Sequence, residues 1–361
     1  MPLAFCLKPI TFVPQQTEKR YIFLKFQKTT MSKRTLFVPI IDSYQGKYLN
    51  FPDIEQTILE DIAEVTLYKV SCAEDLAGKI DEADVIISWH TIPLQKEILS
   101  RLKQCRGIVR AAVGFDNIDI KFAGQKGIPV CNVPDYGTEE VADHTLALTL
   151  ALIRKLPYID QYVRHEKWDW SAIGSVPRIR GMKFGIVGFG RIGSAVAKRA
   201  QAFGFNVAFF DPYVPSGVEK AHGITRYETL HELIESSKVI TIHTLLSEET
   251  YHLIGRPEFD LMTPETILIN TSRGETLDQE VLIESLTRGK IGYVGLDVLA
   301  DEPKIPEELK NSDRTILSAH SAFYADESLK ELRRKAAQSA RKFLLDQKER
   351  SLVNECFLNF K

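Results

Sequence analysis

What the chain lacks narrows its class before any motif is read. No apolar run reaches the ~18–20 residues that span a bilayer. The richest, LALTLALI at 146–153, is short and follows Asp143 and His144, so no membrane partner is expected. Residues 1–30 carry no continuous apolar stretch with a small-residue cleavage site, which argues against a secretory leader. Cysteine is scarce: Cys6, Cys72, Cys105, Cys131 and Cys356 are odd in number and form no CxxC pair. That excludes a disulfide framework or zinc cluster and points to reduced thiols in the cytoplasm. An excess of one charge is also missing. With 46 basic and 48 acidic side chains, nothing electrostatic favours nucleic acid as a direct partner. The eight histidines show no HExxH or comparable spacing, and no metal site is expected.

What is present is two alternating series. At 361 residues the chain is long for one core, so two domains are the default. From Arg34 the runs RTLFVPII, EVTLYKV, ADVIISW, GIVRAAV and IPVCNV read as buried strands. Between them DIEQTILEDI, AEDLAGKI, LQKEILSRL and IDIKFAGQKG carry helical spacing. Alternation of this kind implies a parallel sheet with helices on its faces. A longer helix is expected from Thr138 to the residues before Pro157. It is apolar on most faces, so a domain junction or a second subunit must cover it. The second series is MKFGIVGFG, FNVAFFDP, KVITIHT, TILINTS, IGYVGLDV and TILSAH, followed by an amphipathic helix from Asp326. The fold class expected is therefore α/β, with two parallel-sheet domains. Residues 1–30 are expected to be an N-terminal appendage without fixed structure, because MSKRTLFVPII at Met31 looks like a domain start.

The most informative stretch is GIVGFGRIGSAVAKRAQAF. Gly188, Gly190 and Gly193 form GxGxxG directly after a strand and at the start of a helix. In such a loop the first glycine permits a tight turn, the second lets backbone approach a pyrophosphate, and the third lets helix and strand pack closely. Asp211 ends the next strand, 18 residues past Gly193. A carboxylate there accepts hydrogen bonds from ribose hydroxyls and repels a 2′-phosphate, so NAD is favoured over NADP. Arg191 follows the second glycine, where arginine either meets phosphate or braces the turn.

These motifs, with VGFDNID, INTSRG, LDVLADEP and AHSAFY in that order along the chain, resemble the D-isomer-specific 2-hydroxyacid dehydrogenases from about residue 34 to 345. The likeness is greatest to the C-terminal binding proteins, NAD-dependent corepressors, and extends to D-3-phosphoglycerate dehydrogenases. A C-terminal regulatory domain of the kind some of the latter carry is not expected, since the sequence ends soon after its last helix. The resemblance implies Rossmann-like and flavodoxin-like domains joined by a hinge, with the active site in the cleft between them. The catalytic domain would be 31–134 plus 320–361 and the NAD-binding domain 135–319. A homodimer through the 138–156 helix region is also expected.

The resemblance also implies roles. Arg273 would bind the substrate carboxylate and carbonyl oxygen. His320 would be the acid in reduction and the base in oxidation, with Glu302 favouring its protonated form. The backbone at Val113 and Gly114 would cradle the carboxylate, Arg110 would add charge, and Phe323 would set specificity. Gly188, Gly190, Arg191, Ile192, Gly193, Asp211, Thr244, Thr271 and Asp297 would hold the cofactor, Asp297 through the nicotinamide carboxamide. His90 would line the cleft, His144 would be a satisfied core or interface residue, and His243 would approach the cofactor or simply pack. Glu302 argues against a formate-type reaction, which needs no proton donor and whose enzymes carry glutamine there. Two functions result: a dehydrogenase of a small 2-keto or 2-hydroxy acid, or an NAD(H)-regulated scaffold with incidental turnover. No disordered C-terminal tail of the corepressor kind is expected after the last helix, which favours the enzyme.

Overall fold

The computed structural model describes residues 34–44, 48–165 and 167–358. The expected appendage at 1–30 lies outside them. Two parallel sheets carry the fold. In the first, β1 (Leu36–Ser43), β2 (Ala63–Val70), β3 (Val85–Ser88), β4 (Gly107–Arg110) and β5 (Val130–Asn132) lie in the order β2-β1-β3-β4-β5. In the second, β6 (Lys183–Val187), β7 (Asn206–Phe210), β8 (Thr225–Arg226), β9 (Val239–Ile242), β10 (Ile267–Asn270), β11 (Tyr293–Leu296) and β12 (Thr315–Leu317) lie in the order β12-β11-β10-β9-β6-β7-β8. The first order is the flavodoxin-like one. The second is the Rossmann order with one more strand at its edge.

The short central strands form where β-branched residues can be buried on both faces. VIIS in β3, VITI in β9 and ILIN in β10 are buried throughout, the signature of a sheet covered by helices on each side. Some helical spacing in the first series shrinks on folding. AEDLAGKI forms a single 3-10 turn at Ala73–Leu76, and LQKEILSRL a helix only over Lys96–Leu99. Short connections leave little room for more.

The long apolar helix runs from Thr138 to Ile153. It is covered within the chain, against β10, β11 and the Arg191–Ala202 helix. Its first two turns are pinned there, with Glu139 and Asp143 both paired to Arg199. The last helix, Asp326–Leu344, returns to the first sheet. Leu332, Ala336, Ala340, Phe343 and Leu344 enter the core around β1, β3 and β4. Phe343 lies so close to Gly107 that a β-carbon there would overlap its ring. Burying a phenyl ring of this kind contributes about 2–3 kcal/mol. No helix among the described residues is long and apolar enough to cross a membrane.

Candidate active site

A cavity of about 590 Å³ opens where the carboxyl ends of both sheets face each other. Open parallel sheets place ligands at this end of their strands. β3 delivers Trp89 and His90, β4 ends in Arg110, and β6 runs into Gly188–Gly190. β10 leads to Thr271 and Arg273, β11 to Asp297, and β12 to His320.

His320 stands at the centre. Its Nδ1 lies 2.9 Å from Glu302 Oε2, and the other oxygen of Glu302 accepts from the Leu299 amide at 3.0 Å. Burial pushes the Glu302 carboxyl up, but the His320 hydrogen bond and charge, with the Leu299 amide and Arg273, hold it below its ordinary range. His320 has a left-handed backbone, φ 50°, a conformation that costs a non-glycine residue about 1–2 kcal/mol. Asp297 supplies the restraint. Its carbonyl accepts from the His320 amide at 2.8 Å. Its buried carboxylate accepts from the amides of Ser321 and Ala322 at 2.9 and 3.0 Å and from Ser318 Oγ at 2.7 Å. His144 joins the same network through Ser318 Oγ at 2.8 Å.

Arg273 projects into the cavity from a loop shaped by buried Asn270, whose Nδ2 donates to the Arg273 carbonyl at 2.7 Å. The guanidinium donates to Asp116 at 3.1 Å and to the Ser272 carbonyl at 2.8 Å. It also lies so close to Gly114 that a β-carbon there would overlap it. The neighbouring amides of Val113 and Gly114 make no hydrogen bond among the described residues. Burial pushes Asp116 up, but Arg273 and Arg110 leave it ionised and below its ordinary value.

Arg110 is fully buried. It donates to Asn117 Oδ1 at 2.7 Å, to the Ala111 carbonyl at 3.2 Å and to His90 Nδ1 at 2.9 Å. Burial and the facing Arg273 draw it down to about 10. Phe323 packs obliquely on Tyr48 and Tyr136, each 6.2 Å away, and Tyr48 stacks on Trp89 at 4.9 Å. The cavity thus has an aromatic wall beside its charged floor.

The glycine loop fits a dinucleotide. Gly188 has φ 88°. A β-carbon on Gly193 would overlap the Gly188 carbonyl, while one on Gly190 would meet nothing within 4 Å. Gly190 therefore faces open space at the start of the Arg191–Ala202 helix, where amides and dipole favour phosphate. Asp211 accepts from the Phe189 amide at 2.8 Å and the Tyr213 amide at 2.9 Å, which ties its carboxylate to the glycine loop. Ile192, Thr244 and Thr271 line the cavity with exposed Arg191. Thr271 Oγ1 pairs with Thr145 at 3.0 Å. The buried Thr244 Oγ1 and His243 Nδ1 have no partner in the protein, as expected of groups kept for a ligand.

His90, Glu302 and His320 offer ligand atoms within 4.8 Å of one another. Glu302 is committed to His320, and two guanidiniums face the cluster, an unfavourable field for a cation. Sequence reasoning passed over Tyr48, Trp89, Asp116, Asn117, Tyr136 and Asn270. Asp116 and Asn117 stood in the VGFDNID motif itself; Tyr48 and Tyr136 carried no local signal.

Residues 146–322 match the family model described as the NAD-binding domain of D-isomer-specific 2-hydroxyacid dehydrogenases. A D-3-phosphoglycerate dehydrogenase of Methanocaldococcus jannaschii is 34% identical over 297 residues, 82% of this chain and 56% of that protein. The chain thus spans little more than half of that relative. A glyoxylate reductase of Thermococcus litoralis is 38% identical over 272 residues, 73% of this chain and 82% of that one. Among solved structures, a D-lactate dehydrogenase from Aquifex aeolicus, complexed with NAD and lactic acid, superposes with a TM-score of 0.79. It is 29% identical, and the match covers 88% of this chain and 99% of that one.

Proposed function

Because the chain belongs to the D-isomer-specific 2-hydroxyacid dehydrogenase family, we propose that it interconverts a small 2-oxo acid and its D-2-hydroxy acid with NAD(H). Bound NADH supplies the hydride. Arg273 and the Val113 and Gly114 amides hold the substrate carboxylate, and Arg273 also polarises the carbonyl oxygen. His320 then gives its proton to the oxygen as charge develops there, while Glu302 holds the ring and favours the imidazolium. In the reverse direction the same nitrogen takes the hydroxyl proton. Asp297 positions His320 and, with about four lone-pair sites and three protein donors, keeps one site for the nicotinamide carboxamide. Asp211 selects NADH over NADPH. The observation that carries the reading is the Glu302–His320 pair facing Arg273 in one cavity with the glycine loop.

We also infer that the domains divide at 31–134 plus 320–361 and at 135–319, with recognition in the first and cofactor binding in the second. Copies would pair through the 138–156 helix region and the chain that follows it. Leu156, Trp168 and Trp170 are 53%, 91% and 86% exposed there, and large apolar side chains left in water favour a protein contact. The test of the activity is NADH consumption against glyoxylate, pyruvate, hydroxypyruvate and longer 2-oxo acids. His320→Ala should lower kcat by about 10²–10⁴-fold and still bind NADH. Turnover that survives the substitution would overturn the proton-transfer role. Tight NADH binding with no turnover on any acid would favour a scaffold.

A further inference from the structure

Resting on the dehydrogenase reading, we propose that His90 is a second substrate-binding histidine. It acts as a neutral hydrogen-bond donor, through Nε2–H, to an oxygen on C3 of the 2-oxo acid.

The geometry fixes the tautomer. A guanidinium only donates, so the 2.9 Å contact from Arg110 makes His90 Nδ1 an acceptor. The neutral ring must then carry its proton on Nε2. That nitrogen has no hydrogen-bond partner among the described residues, and His90 lines the cavity. A half-turn of the ring would set its Cδ2–H against Arg110 and forfeit this contact. Asn117 accepts from Arg110 at 2.7 Å and donates to the carbonyls of Trp89 and Ile92, which lie on either side of His90, at 3.3 and 3.1 Å.

The charged groups around His90 keep it neutral. Burial, Arg110, His320 and Arg273 all disfavour its protonation, and only Asp116 opposes them, leaving the ring at about 3. His320 stands edge-on to it, ring centroids 4.8 Å apart. Two neighbouring imidazoles therefore have opposite duties: one is paired with a carboxylate and carries protons, the other is paired with a cation and cannot.

The remaining valences of the substrate decide what His90 meets. The carboxylate goes to Arg273 and the free amides, and the carbonyl oxygen to Arg273 and His320. Only the C3 substituent is left for a donor that projects from the first sheet. A methyl there leaves the N–H unsatisfied, which costs binding; a hydroxyl or carboxylate oxygen accepts it.

Two variants separate the donor from the scaffold. His90→Asn keeps an acceptor for Arg110 but has nothing at the Nε2 position, whereas His90→Gln restores a donor at that reach. The measurement is the ratio of kcat/KM for hydroxypyruvate to that for pyruvate. The native ratio should exceed one by about tenfold, the worth of one such hydrogen bond. It should fall to near one in His90→Asn and recover in part in His90→Gln. Equal losses on both acids would overturn the assignment. If the native protein reduces neither of these nor any other 2-oxo acid, the dehydrogenase reading fails on its own terms. The affinity of tartronate for the NAD⁺ complex, by calorimetry, then decides the role of His90. It should weaken about tenfold in His90→Asn; unchanged affinity, or no binding to the native protein, overturns the proposal.

Discussion

Glu302 and Gly114 show how much single positions carry. Held below its ordinary range by His320, the Leu299 amide and Arg273 against the pull of burial, the Glu302 carboxyl stabilises the fold above that range. The contribution fades as pH falls through the lowered value, because only the folded form then resists protonation. Glu302→Gln should therefore lower the Tm most at neutral pH and converge on the native protein in acid. Thermal scans from pH 7 to pH 3 check this, and a constant gap would contradict it. At Gly114 any β-carbon displaces the Arg273 guanidinium. Gly114→Ala should raise KM for the 2-oxo acid about 10²-fold, the scale of a misplaced binding group. NADH affinity should hold, measured by fluorescence titration. Arg273, Glu302, His320 and the glycine loop were legible because each sits in a short motif with a chemical reason for its residue type. The tie of Arg110 to His90 was not, since it joins two strand ends through a fold contact that no local pattern encodes.

At the scale of elements, one clamp on the last helix closes over a buried carboxylate. Arg333 reaches from it to Glu55 Oε1 and Oε2 at 2.9 and 2.6 Å, and to Asp53 at 2.6 Å. Glu55 is 1% exposed. Arg333→Met leaves that carboxylate buried without its counter-charge, which costs about 3–5 kcal/mol. Urea unfolding should show the midpoint fall with little change in slope. Strand order follows the same logic of visibility. The buried apolar strands were plain from the sequence, but β8 has only two residues, Thr225–Arg226, too few for any period to show. The Thr138–Ile153 helix was recognised as needing cover. That the cover is β10, β11 and the Arg191–Ala202 helix depends on packing that its own sequence does not specify.

For the whole molecule, the exposed tryptophans set a testable assembly. Trp168→Glu with Trp170→Glu should shift sedimentation from dimer to monomer, since two charges in an apolar contact outweigh the burial they replace. An unchanged dimer would place the contact elsewhere. The return of the chain to its first sheet also has a consequence beyond stability. Arg273, Asp297, Glu302 and His320 all follow strands of the seven-stranded sheet, whereas Tyr48, His90, Arg110 and Val113 follow strands of the five-stranded one. On the proposed roles, the contact to the C3 substituent and the proton transfer are encoded in separate stretches of the gene. On those roles, substitution at Tyr48 or His90 would change which acid is preferred and leave the Glu302–His320 pair in place.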